Sequence, residues 1–169
     1  MIKLVLFDLD GVLIDAKKLH YDALNTALGD KYFITEKEHH DLYDGRKTFE
    51  KLELLSKNKN LPVSKHSQIY QKKQEITINL ISQLKQIDEI VLLFQNLEKQ
   101  GYEIGVCSNS IRRTVLTALA KTNLMEYCSV ILSNEDVKNS KPHPEMYWKA
   151  MSIMSRLPEE TLIVEDSPP

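Results

Sequence analysis

The stretch Lys3-Leu4-Val5-Leu6-Phe7-Asp8-Leu9-Asp10-Gly11-Val12-Leu13-Ile14-Asp15 decides the fold. Its first half is a short, unbroken apolar run rich in strand formers, the pattern of a strand buried on both faces, predicted at about residues 2–7. It stops at two carboxylates one residue apart. Burying such a pair is costly unless a positive charge or a cation lies beside it. Asp8 and Asp10 are therefore candidate active-site groups, and the rest of the chain is read against that expectation.

Downstream of this strand the pattern changes. Leu19, Ala23, Leu24, Ala27 and Leu28 recur at helical spacing, and Gly29 offers a stop. Residues 35–84 are polar and rich in Lys, Gln and Asn, with helical patterning at Leu52 and Leu55 and again at Ile76, Leu80, Ile81 and Leu84. Asn58-Lys59-Asn60-Leu61-Pro62 separates two helices there, and the clustered lysines read as a solvated face. From Asp88 onward strand and helix alternate. A helix carrying Ile90, Leu93, Phe94 and Leu97 ends near Gly101, and a strand over 102–107 leads to Ser108-Asn109-Ser110. A helix over 111–121 and a strand over 129–132 follow. Next come a helix carrying Tyr147, Ala150, Met151 and Met154 and a strand over 161–164, which ends in Glu165-Asp166-Ser167. This alternation predicts an α/β fold with a Rossmann-like parallel sheet and right-handed crossovers. Ligands of such sheets bind beyond the carboxyl ends of the strands, where this chain places Asp8, Asp10, Ser108, Glu165 and Asp166.

The chain has 169 residues, 42% of them hydrophobic, enough for one domain or a domain with an insertion. A formal charge of −2 shows no basic excess that would favour nucleic acid or an anionic membrane. No apolar run reaches the length of a membrane span, and the chain opens directly on a strand, so a cytoplasmic protein is expected. Cys107 and Cys128 have no zinc-site or CxxC spacing and read as free thiols.

Four motifs in order, Asp8-Leu9-Asp10-Gly11-Val12-Leu13, Ser108-Asn109-Ser110, Lys141-Pro142-His143-Pro144-Glu145 and Val164-Glu165-Asp166-Ser167, resemble those of the haloacid dehalogenase superfamily. The closer resemblance is to the branch of β-phosphoglucomutase and the sugar-phosphate and phosphoglycolate phosphatases, which carries a helical cap inserted after the first motif. The resemblance implies a core domain of residues 1–15 and 86–169 and a cap of residues 16–85. It implies a Mg²⁺-dependent phosphatase acting on a small phosphorylated metabolite such as a sugar phosphate, with no nucleic-acid or membrane partner. A carboxylate nucleophile splits a very slow hydrolysis into two easier steps. Asp8 suits that role, with Asp10 as the acid that protonates the leaving group and the base that later activates water. Two aspartates facing a phosphoryl group need a hard cation, for which Asp8, Asp166, the Asp10 carbonyl and, directly or through water, Glu165 are the expected ligands. Ser108 and Lys141 would hold and offset the phosphoryl charge. Asn109 and His143 are further candidates to line the site, and Asn109 and His20, which matches a histidine at the start of the family cap, are candidate phosphate or substrate contacts.

Asp44-Gly45-Arg46-Lys47-Thr48 occupies the place of the family's specificity loop, so Gly45, Arg46 and Lys47 are candidate substrate contacts. Thr48 stands where β-phosphoglucomutase has an arginine, which favours a phosphatase over a mutase, the alternative reading. Lys85-Gln86-Ile87-Asp88 replaces a Pro-Gly turn of the family. Relatives also continue past the last motif, whereas this chain ends at Pro169. The last core strand and helix are thus expected to be missing, leaving the strand at 161–164 on the sheet edge. A truncated product, a fragment, a partner supplying the strand, or an inactive phosphate- or protein-binding fold are the readings this leaves open.

Overall fold

A computed structural model describes residues 1–43 and 46–166. The chain divides into two compact units, one formed by Met1–Asp15 with Ile81–Pro169 and the other by Ala16–Leu80.

The first unit is built on four parallel strands. They are β1 (Leu4–Phe7), β2 (Glu103–Cys107), β3 (Cys128–Leu132) and β4 (Thr161–Val164), in the spatial order β3-β2-β1-β4. All four residues of β1 are buried, as its apolar run predicts, because β2 and β4 flank it and helices cover both faces. On one face Leu4 and Leu6 join Cys107, Val130 and Leu132 against Met146, Ala150 and Met151 of a helix over Glu145–Met154. On the other, Phe7 meets Phe94 of a helix over Asp88–Lys99, ring centroids 5.0 Å apart. Gly105 has no side chain for a steric reason: a Cβ there would lie 2.5 Å from Val130 Cγ1 and 2.7 Å from Leu6 Cδ2. β4 pairs only with β1 among the described residues, and Leu162 and Ile163 remain 49% and 41% exposed on the outer strand.

The second unit is helical, with no strand among its described residues. It holds α1 (Lys17–Leu28), the single turn α2 (Glu36–Glu38) and α3 (Thr48–Lys59), followed by α4 (His66–Ile81), whose last residue joins the first unit. Gly29 ends α1 at φ 70° and Asn60 ends α3 at φ 55°, left-handed positions that stop a helix. Leu24, Leu28, Tyr32, Ile34, Leu52, Leu55 and Ile69 form its core. The side chain of Asn25 staples that core by accepting from Ile34 N and donating to Ile34 O, both at 2.9 Å. The lysines of this block are not a uniformly solvated face, since Lys51 and Lys73 are only 8% exposed. Charge clustering in sequence does not reveal which lysine stems a helix packing will cover. The remaining helices, in the first unit, are α5 (Asp88–Lys99), α6 (Arg112–Lys121) and α7 (Glu145–Met154).

Candidate active site

The carboxyl ends of β1, β2 and β4 bring the sequence motifs together. Beyond β1 the chain makes a tight turn in which Leu13 N and Ile14 N both donate to Leu9 O at 3.0 Å and Gly11 N donates to Ile14 O at 2.8 Å. Asp8 N donates to Val164 O at 2.9 Å, so the start of the turn is tied to β4. Gly11 sits at φ 96°, and a Cβ on it would lie 2.3 Å from Asp166 Oδ2. Glycine is therefore required twice over, by its backbone conformation and by the carboxylate resting against it.

Asp8 is buried, and Lys141 reaches it. Lys141 Nζ donates to Asp8 Oδ1 at 2.6 Å and to Glu165 Oε1 at 2.5 Å. The side chains of both Lys141 and Asp8 are about nine-tenths covered. Burial pushes the Asp8 carboxyl up from 3.8 to about 6, outweighing the attraction of Lys141. Burial also pulls the Lys141 ammonium down, yet Asp8 and Glu165 together hold it above the ordinary lysine value. The lysine has the carboxylates of Asp8 and Glu165 to offset its desolvation, while Asp8 shares Lys141 with Glu165 and also feels Asp10. Each of Asp8, Glu165 and Asp166 offers an oxygen within 4.8 Å of the others.

The second motif serves as scaffolding as well as facing the site. Ser108 is fully buried; its backbone N donates to Leu132 O and its Oγ accepts from Ser110 N, both at 3.0 Å. Ser110 Oγ donates to Asp10 Oδ2 at 3.0 Å, which orients the second aspartate. Asn109, expected to line the site, spends its amide on the backbone of Lys141. Its Nδ2 donates to Lys141 O and its Oδ1 accepts from Lys141 N, each at 3.0 Å. His143 turns to the start of α7, where its Nδ1 accepts from Glu145 N at 3.2 Å and its ring meets Trp148 edge-on. Cys107 ends β2 beside this cluster, and burial pushes its thiol up to about 12.

Two contributors have no role in the motif reading. Ser110 is one, and Tyr147 of α7 is the other: its hydroxyl donates to Glu165 Oε1 at 2.8 Å. Burial and Glu165 raise that phenol above its ordinary value, so it stays a donor. In sequence Tyr147 is one apolar position in a helical stripe, and no spacing distinguishes it.

The other candidates belong to the helical unit. His20 Nδ1 on α1 lies 3.3 Å from the Nζ of Lys73 on α4. Arg46 is exposed, its Nε donating to Leu42 O at 2.9 Å, and Lys47 precedes α3 and is half-buried. Gly45 lies outside the described residues.

The family description "Haloacid dehalogenase-like hydrolase" matches residues 5–169 of the chain. The chain belongs to that family. The pyrophosphatase PpaX of Bacillus cereus (strain Q1) is 34% identical over 177 residues, covering 98% of this haloacid dehalogenase-like hydrolase and 75% of the relative. Among solved structures, CbbY from Rhodobacter sphaeroides in complex with phosphate superposes at a TM-score of 0.88. The identity is 23%, with 99% of this chain and 79% of that one covered. The β-phosphoglucomutase of Clostridium difficile gives 0.85 at 24% identity, covering 99% and 77%. Those two likenesses establish the fold. The family match and the pyrophosphatase relative make the chain a phosphatase-type enzyme of the superfamily. The superfamily generally uses a divalent metal. The carboxylates of Asp8, Glu165 and Asp166 fit one, being hard oxygen donors that lie within 4.8 Å of one another. No helix among the described residues is long and apolar enough to cross a membrane.

Proposed function

We propose that this enzyme is a Mg²⁺-dependent phosphatase of a small phosphorylated metabolite, such as a sugar phosphate, working through an aspartyl-phosphate on Asp8. The observation that carries the reading is the buried Asp8 carboxylate held by Lys141 at 2.6 Å, with Glu165 and Asp166 converging beside it. A nucleophile needs a lone pair and a partner that offsets the incoming negative charge; the Asp8 carboxylate supplies the first and Lys141 the second. Asp8 and Asp166, with the Asp10 carbonyl and Glu165 directly or through water, would hold the cation. When bound, it offsets the charge between these carboxylates and the phosphoryl oxygens.

The chemistry runs in two displacements. A carboxylate oxygen of Asp8 forms a bond to phosphorus as the bond to the leaving oxygen breaks, and Asp10 gives its proton to that oxygen. Asp10 then takes a proton from water, the water oxygen attacks phosphorus, and the Asp8–phosphorus bond breaks to release phosphate. Ser110 Oγ, donating to Asp10 Oδ2, holds the carboxyl in place for both transfers. Ser108, together with Lys141, is assigned to the phosphoryl oxygens. An aspartate must be ionised to attack, and Lys141 lowers the Asp8 value against the burial that raises it, so the lysine favours the reactive form.

The test is phosphate release from a panel of sugar phosphates, small-acid phosphates and pyrophosphate with Mg²⁺, for the wild type and Asp8→Asn. The wild type is expected to hydrolyse at least one compound and Asp8→Asn none. Equal slow release by both proteins overturns the reading. Conversion of β-glucose 1-phosphate to the 6-phosphate without net release would assign a mutase instead.

A further inference from the structure

Lys141 poses a mechanical problem. Asn109 clamps its backbone at both N and O, but four methylene groups separate that anchor from the ammonium, so the clamp does not aim the charge. The ammonium is aimed by Glu165 Oε1 and Asp8 Oδ1, at 2.5 and 2.6 Å. Glu165 is itself a flexible side chain just beyond the outer strand β4, part-exposed at 22%. Something rigid has to hold it.

We propose that Tyr147 is a positioning residue for phosphoryl transfer, its hydroxyl locking Glu165 as the counter-ion that points Lys141 at Asp8. The ring of Tyr147 packs against the cluster of Leu4, Leu6, Cys107, Val130 and Met146, so it is fixed by the sheet and α7. A tyrosine has two side-chain torsions, and once its ring is packed the hydroxyl is a fixed point. That hydroxyl donates at 2.8 Å to Oε1 of Glu165, the same oxygen that accepts from Lys141. The ring centroid lies 5.7 Å from Lys141 Nζ, within range of a favourable cation–ring contact. One side chain thereby touches both members of the Glu165–Lys141 pair, and the order of support runs from the core through Tyr147 and Glu165 to Lys141 and Asp8. Without the hydroxyl, Glu165 swings toward solvent or toward Asp166, and Lys141 loses one of its two carboxylates.

The inference rests on the phosphatase reading for its kinetic consequence and not for its geometry, so two measurements separate the two. Tyr147→Phe keeps the ring, its packing and the cation–ring contact and removes only the hydroxyl. With the substrate identified by the panel, kcat is expected to fall roughly ten- to hundredfold while KM changes less than about twofold, as for groups that orient a metal-site residue. The second measurement is the ¹⁵N signal of the Lys141 ammonium in the full chain in Mg²⁺ buffer, assigned by its loss in Lys141→Arg. A slowly exchanging, hydrogen-bonded signal is expected in the wild type and its broadening or disappearance in Tyr147→Phe. An unchanged signal, or wild-type kcat in Tyr147→Phe, overturns the proposal. Absence of turnover in the wild type with every substrate overturns the phosphatase reading alone, and the ammonium signal still decides the role of Tyr147.

Discussion

Replacing Asp8 by asparagine should stabilise the metal-free protein at neutral pH while abolishing its activity. Burial moves the Asp8 carboxyl from 3.8 to about 6 even with Lys141 beside it. A folded-state value above the unfolded one means that the fold prefers the protonated group. The associated stability is therefore fully present below the unfolded value and is lost as pH rises through the folded one. The difference of roughly two pKa units corresponds to about 3 kcal/mol, all of it withdrawn from the wild type by about pH 8. Asparagine resembles the protonated acid and carries no such penalty. Urea titrations in EDTA followed by the fluorescence of the one tryptophan are the assay, because Trp148 lies on α7 in the unit that holds Asp8. Asp8→Asn is expected to exceed the wild type by up to about 3 kcal/mol near pH 8, and the gap should shrink to well under about 1 kcal/mol near pH 4. Saturating Mg²⁺ should reverse the order at pH 8, since a ligand that binds the folded wild type through Asp8 stabilises it by mass action. An asparagine variant no more stable than the wild type at pH 8 without metal refutes the reasoning.

Other perturbations follow from single contacts. Gly11→Ala places a Cβ where Asp166 Oδ2 lies and strains a backbone at φ 96°, so Mg²⁺ affinity measured by calorimetry should fall at least about tenfold. Unchanged affinity would show that Asp166 is not used. Gly105→Ala forces Val130 and Leu6 apart within the sheet and should cost roughly 1–3 kcal/mol in urea denaturation. Cys107 is buried and Cys128 half-buried, and burial pushes both thiols up to about 12, so in the folded protein Cys107 should not react with a maleimide near pH 8 and Cys128 should react far more slowly than after unfolding.

The strand ends were the most legible part of the chain. β1 is announced by four apolar residues followed by Asp8, and the later strands fall where apolar runs stop at Ser108, Ser133 and Glu165, because a parallel sheet buries its strands and wets their ends. Asp8, Lys141, Glu165 and Asp166, which the structure brings together, lie in motifs that resemble those of the family, each at such an end or at a helix start. What stayed hidden depends on which groups meet across the fold. Asn109 is a polar residue after a strand, and only the return of the Lys141 loop makes its amide a clamp. Gly11 reads as a turn residue, while its decisive constraint is Asp166 at the far end of the chain. Tyr147 counts as apolar in a helical pattern, and its hydroxyl matters only because α7 begins beside Glu165. Lys51 and Lys73 read as solvated because a lysine's charge, rather than its burial by neighbouring helices, is what a sequence displays.

The proposed reaction passes through a covalent bond between Asp8 and phosphorus. Acid quenching of the enzyme during turnover with Mg²⁺, followed by proteolysis and mass spectrometry, should place the mass of one phosphoryl group on the peptide carrying Asp8 and leave Asp8→Asn unlabelled. Phosphate release by the wild type with that peptide never labelled, or with the label on another residue, would contradict it.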